Sequence, residues 1–324
     1  MKYIVVISFF TITVTISMGQ ACCSGGVPIS SNIGAFGVTE KGNWQFSVNY
    51  DLNVLNTLKE RSNKLEDNTR KRTTHTGLAQ VGYTITDRFA LDAMFSLVRQ
   101  ERLIRPIMSQ PRNFTSTNGF GDIVLLLKYR FYKQFRAGLG VKAPTGKTEI
   151  TDSQGLVLSS DLQPGSGAWD MIYWFSGSMP LPFRKSMTLN GSATYRATGL
   201  NGNYLGNQTY EFGNEFQATL GVADRFVWWS KIFDPSFIVK YRYAGTDVKN
   251  DFGLPGTGGN WVFLKPGISF NMLPEMSIQT SIELPVHAFV VDTQVTPTYR
   301  FNIGFVYLLR NKKNNQNYEI KEIK

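Results

Sequence analysis

Few residues in this 324-residue chain could do chemistry, and their spacing decides between catalysis and wall-building. Its two histidines, His75 and His287, are the candidates for general-base work, with Asp292 five residues after the second. Such a base needs a nucleophile and an orienting group within hydrogen-bond reach. No G-x-S-x-G turn and no H-E-x-x-H helix occurs in the chain, so hydrolysis has little to stand on. Gly146-Lys147-Thr148 looks like the end of a phosphate loop. The upstream Gly140 stands at the wrong distance and no helical pattern follows, so the string marks a strand end and a loop start. The two cysteines, Cys22 and Cys23, are adjacent. A disulfide between neighbours closes almost no loop, and the spacing fits neither haem nor zinc. These residues imply no cofactor and no metal site.

What remains is a set of charges whose separations only β-hairpins would close. A turn at Pro274 sets Lys265 against Glu283, and a turn at Lys133 brings Asp122 next to Lys142 and sets Arg130 opposite Arg136. Opposite charges facing across strands stabilise by ~0.2–1 kcal/mol, whereas like charges in register need a carboxylate or an anion between them.

The strands that would carry these charges are written in period two. Trp44, Phe46, Val48, Tyr50 and Leu52 alternate with Gln45, Ser47, Asn49 and Asp51, one apolar and one polar row on opposite faces. Phe89 to Leu97, Ile123 to Phe131, Met187 to Tyr195 and Tyr299 to Tyr307 repeat the pattern. Such runs predict about twelve strands, centred near residues 48, 80, 93, 125, 139, 173, 191, 215, 239, 266, 281 and 302. Their connections alternate. Asp87-Arg88, Tyr132 to Gln134, Pro180 to Arg184 and Leu273 to Glu275 are tight; Asn56 to Arg72, Gln100 to Asn118, Thr145 to Pro164, Gly199 to Gln208 and Gly245 to Gly258 are long and polar. Ala223 to Asp234, with Trp228 and Trp229, is the stretch where a strand runs long or breaks.

A transmembrane barrel has this short-long rhythm, and an even strand count leaves both termini on the short-turn, periplasmic side. The apolar row then carries two aromatic girdles: Trp44, Phe89, Tyr129, Phe131, Phe135 and Tyr307 at one end, Trp169, Tyr195 and Tyr299 at the other. The polar row lines the lumen, with Asp122, Lys128, Arg130, Arg136, Lys142, Arg196, Lys265, Glu283 and Arg300 as its charged members. A soluble β-sandwich also alternates in and out, but gives no reason for the loop rhythm.

Composition agrees. Charged residues make up 18% of the chain and aromatics 13%, against a usual charged share of ~25%. Beyond the first nineteen positions no apolar run of the ~20 residues a membrane helix needs occurs, and disorder is excluded by the 23 Phe, 14 Tyr and 6 Trp. Residues 1–19, with Lys2 ahead of the apolar Tyr3 to Ser17, read as a secretory signal cleaved before Gln20; lipoprotein processing at Cys22 is the rival. The net charge of +10 is scattered among strands of an exported chain, which argues against nucleic acid. Arg70-Lys71-Arg72 is expected in a surface loop near the anionic headgroups of outer-membrane lipid and lipopolysaccharide.

Three motifs together resemble a known family: Gly119-Phe120-Gly121-Asp122 leading into Lys128-Tyr129-Arg130-Phe131; Gly138-Leu139-Gly140-Val141-Lys142-Ala143-Pro144-Thr145-Gly146; and Leu162-Gln163-Pro164-Gly165-Ser166-Gly167 before Trp169-Asp170. They resemble the bacterial outer-membrane barrels named for the MetA pathway of phenol degradation, a family that includes the secretion pore for functional amyloid. The resemblance implies an outer-membrane transport protein of similar strand number. The amyloid pore carries a long N-terminal extension, whereas here Gln20 to Lys41 precedes the barrel, which speaks against amyloid export.

The expectation is therefore an all-β protein: a signal peptide at 1–19, a periplasmic or plug segment at 20–41, a transmembrane antiparallel up-and-down β-barrel of about 12 strands at 42–310, and a polar tail at 311–324. It would sit in the bacterial outer membrane as a channel or transporter for small solutes. A non-conducting structural or adhesin-like barrel is the alternative, with an outer-rim hydrolase behind it; homo-oligomerisation stays open. The Gly- and Ser-rich segment Gln20 to Thr39 is the expected plug, its backbone carbonyls meeting Arg130 and Arg136.

Overall fold

The computed structural model describes residues 38–67, 69–105, 113–229 and 231–311. Alternation becomes twelve antiparallel strands: β1 Trp44–Leu55, β2 Arg70–Thr84, β3 Phe89–Ile104, β4 in two pieces, Asn113–Phe120 and Ile123–Arg130, β5 Phe135–Ala143, β6 Asp170–Leu181, β7 Arg184–Ala197, β8 Glu215–Ala223 with the extension Phe226–Trp228, β9 Lys231–Ala244, β10 Gly259–Leu273, β11 Met276–Val290 and β12 Tyr299–Leu309. Each pairs with its neighbours in sequence, and β1 closes on β12, from Trp44 opposite Leu309 to Val54 opposite Tyr299. The result is a closed up-and-down transmembrane barrel without a free edge. All twelve expected strand centres fall inside these strands.

The apolar row points outward. Val48, Leu97, Leu127, Tyr173, Leu220 and Phe237 are among its exposed members, the chemistry that lipid requires where charges cost ~2–4 kcal/mol at the midplane. Rings pair along this row near the short-turn end, Trp44 with Tyr83 at 4.6 Å and Phe89 with Tyr129 at 4.8 Å. The stretch Ala223 to Asp234 breaks at Asp224-Arg225 and resumes as a hairpin in which Trp228 pairs with Lys231.

Three expectations fail in their details. Arg70-Lys71-Arg72 is no surface loop: it begins β2, and Arg72 is buried. Gln100 to Asn118 is mostly strand, since β3 runs to Ile104 and β4 starts at Asn113; residues 106–112 lie outside the described residues. The inner row is not uniformly polar. Leu78, Met94, Val124, Leu126, Ile172 and Trp174 form a buried cluster inside the β2–β6 side of the barrel. There, a Cβ on Gly138 would come within 3.1 Å of the Trp174 ring.

The long connections are structured too. Thr57–Glu60, Asn63–Leu65 and Thr293–Thr296 form a three-stranded sheet; Leu200–Tyr204, Gln208–Glu211, Val248–Lys249 and Phe252–Gly253 form a four-stranded one. The signal segment 1–19, most of the 20–41 segment with Cys22 and Cys23, and residues 312–324 of the tail lie outside the described residues.

Candidate functional site in the barrel lumen

Each of the twelve strands contributes a polar inner side chain to a belt of contacts around the wall. Asp51 on β1 accepts both carboxylate contacts from Arg300 Nε on β12 at 2.8 Å. On β11, Glu283 stands opposite Arg300 in register and takes Lys240 Nζ at 2.9 Å and Lys265 Nζ at 3.4 Å. Arg242 on β9 reaches Glu215 on β8 at 2.6 Å, and Glu215 in turn holds Arg196 on β7 at 2.9 Å. Lys142 on β5 joins Asp170 on β6 at 2.7 Å to Asp122 on β4 at 3.2 Å. Gln80 on β2 donates to Asp92 on β3 at 2.8 Å, and Asp92 meets Lys128 on β4 at 2.5 Å, beneath the Trp174 ring. Most of these groups are almost fully buried. Buried charges persist only when paired and hydrogen-bonded.

The expected pairs meet as follows. Lys265 and Glu283 are in contact, as are Asp122 and Lys142. Arg130 and Arg136 are opposite each other in register. Arg130 donates to the backbone carbonyls of Val38, at 3.1 Å, and Asp87. Among the described residues Arg136 has no carboxylate partner. Sequence reasoning missed Asp51, Gln80, Asp92, Asp170, Glu215, Lys240 and Arg242 as belt members, although each stands on the polar row of its strand. His75 is taken up structurally, its Nδ1 sharing a hydrogen bond with Tyr50 Oη at 2.7 Å. His287 is exposed on β11, and no contact joins it to Asp292.

The long-loop end of the lumen is occupied by the connection after β5, whose residues 153–157 stay exposed while 158–168 fold inward. Their 3-10 turn, Ser160–Leu162, is buried. Arg72 Nη1 donates to Asp161 Oδ2 at 2.8 Å, and Thr117 Oγ1 donates to the Leu162 carbonyl at 2.7 Å. Asp122 is the hub: Oδ1 accepts the Gly146 N–H at 2.9 Å, and Oδ2 accepts the Ser166 N–H at 2.9 Å and its hydroxyl at 2.7 Å. Here two backbones touch. A Cβ on Gly146 would lie 2.6 Å from Gly165 Cα, and one on Gly165 would lie 2.5 Å from the Gly146 carbonyl carbon, so only glycine fits at either position. The three motifs that carried the family resemblance are thus largely the parts of one loop lock.

Above the wall, Tyr210 Oη donates to Asp247 Oδ2 at 2.7 Å and Gly213 N–H to Oδ1 at 2.8 Å, beside Tyr204, Phe212 and Leu254. Burial outweighs these bonds and raises the Asp247 carboxyl to about 6; burial likewise pushes the Tyr210 phenol far above its ordinary value.

The short-turn half of the lumen is emptier. Between β5 and β12 the inner row is small and polar, with Ser176, Gly191, Ser192, Thr219, Gly267 and Ser281 among the lining residues, and it encloses a cavity of about 280 Å³. The β2–β6 side is packed with apolar side chains, so open space runs along the opposite side.

No family model and no curated protein matches the chain. Its fold is similar to that of an outer membrane channel from Pseudomonas putida F1, with a TM-score of 0.66, 15% identity, and coverage of 85% of this chain and 98% of that one. The β domain of the Bordetella autotransporter BrkA gives a TM-score of 0.47 at 11% identity, covering 83% of this chain and 99% of that one. The CymD monoaromatic hydrocarbon channel gives 0.45 at 9% identity, covering 90% and 99%. At these identities the likeness is one of fold: this chain is a closed β-barrel of the kind that the Pseudomonas channel forms.

Proposed function

We propose that the protein is an outer-membrane channel or transporter for small solutes, with both termini on the periplasmic side and the long loops outside. The observation that carries this reading is a closed barrel whose lumen holds a polar cavity at one end and a side-chain-anchored loop at the other. Strands that served only as a membrane anchor would have no need of that cavity. The motifs Gly119 to Asp122, Gly138 to Gly146 and Leu162 to Gly167 support membership of the MetA-pathway-like family, and the similarity of fold to a Pseudomonas outer membrane channel supports the channel reading. Outer-membrane lipid and lipopolysaccharide are the surroundings this reading gives the exposed apolar row. The segment ending at Val38 and Thr39 would enter the short-turn mouth, where the Val38 carbonyl meets Arg130.

A non-conducting barrel is the second reading, favoured by the apolar cluster and the inward loop. Liposome swelling separates the two. Vesicles carrying the purified protein should swell in isosmotic arabinose faster than empty vesicles; rates equal to those of empty vesicles, both for the native chain and after shortening the 148–160 segment, would establish the non-conducting barrel.

A further inference from the structure

We propose that the lumenal cavity is a binding site for a small organic anion, a carboxylate flanked by hydroxyl groups. The proposal rests on the channel reading for its biological sense but not for its chemistry, which is local.

Charge points first to an anion. The cavity is lined by three cations, Arg136, Lys240 and Lys265. The carboxylate beside them, Glu283, is divided: Oε2 takes Lys240 and Oε1 takes Lys265. Arg136 has neither. Its Nε is buried without a hydrogen-bond acceptor, and the residue opposite it in register is another arginine, Arg130, which is engaged by two backbone carbonyls. A guanidinium with unmet donors matches a carboxylate, which it can grip through two parallel bonds.

The rest of the lining points to hydroxyls. Ser176 stands beside Arg136 in register, and Ser192 and Ser281 line other parts of the wall. Hydroxyl groups both donate and accept, so they suit a polyhydroxylated ligand, whereas a purely apolar solute would strip them of water without return. Gly177, Gly191 and Gly267 leave the volume for such a molecule.

The test is calorimetric titration of the detergent-solubilised full chain with gluconate, glucose and inorganic phosphate. Gluconate should bind more tightly than either of the others. Arg136→Gln should weaken gluconate about tenfold or more, the ratio lost with one charge-assisted bond, while Arg136→Lys should recover part of the loss. Both variants should keep the mobility shift of an unboiled barrel, which shows that they fold. Gluconate binding no tighter than glucose, phosphate binding equally tight, or indifference to Arg136→Gln would overturn the proposal. Because binding is read without flux, a site that binds in a barrel that conducts nothing would sink the channel reading alone, and a conducting barrel that ignores gluconate would sink the site alone.

Discussion

Asp122→Ala is expected to release the 144–169 connection, whose residues 158–168 occupy the lumen, and make it a protease substrate. In the native chain the Lys147 backbone is held on both sides, its N–H on the Phe120 carbonyl at 3.2 Å and its carbonyl on the Gly165 N–H at 2.9 Å. Trypsin therefore has to wait for the loop to open. Removing the Asp122 carboxylate strands two backbone donors, Gly146 N–H and Ser166 N–H, each of which then carries a desolvation cost of ~1–3 kcal/mol, and leaves the Ser166 hydroxyl with its longer bond to the Ala168 carbonyl at 3.2 Å. A local loss of ~3 kcal/mol raises the open population, and with it cleavage after Lys147, by ~100-fold. Lys142 keeps its contact with Asp170 and the strand ladder is untouched, so the barrel itself should stay folded. Cleavage at the native rate would show that Asp122 holds nothing.

The second large effect is on the barrel as a whole. Glu283→Ala leaves Lys240, which is almost fully buried, with Lys265 beside it and Arg300 opposite the substituted position, and without the carboxylate that separates these cations. Breaking a buried pair by removing one partner costs ~3–5 kcal/mol. The urea midpoint for unfolding from detergent should fall accordingly, and Lys240→Met in the same chain should recover a substantial part, because the stranded charge is then gone. A change below ~1 kcal/mol, or a double variant no better than the single one, would mean that water already solvates this belt.

How far the sequence reveals such an arrangement depends on the range of the interactions. Strands are local: Trp44 to Leu52 alternates without interruption, and most later runs announce themselves in the same way. Hairpin partners are nearly local, so Lys265 and Glu283 could be matched by counting outward from Pro274. The loop lock is not. Arg72 finds Asp161 89 residues away, and a run of three cations viewed alone looks like solvated surface, which is why Arg70 to Arg72 was expected in a loop. The apolar cluster was hidden for another reason. Val124 and Leu126 lie between Ile123, Leu125 and Leu127, so β4 is apolar on both faces and period two cannot say that its inner face meets Ile172 and Trp174 over the glycines of β5. Gly146 and Gly165 were visible as motif residues, but their purpose is a contact between two backbones that no spacing rule describes.

On the channel reading proposed above, the lumen is a passage closed by an inward loop tied to Asp122. Single-channel recording in planar bilayers tests it most directly, with native protein and Asp122→Ala compared at the same salt and voltage. The native chain should show small, brief openings and the variant larger, long-lived ones; conductance and dwell times identical in the two would contradict the claim.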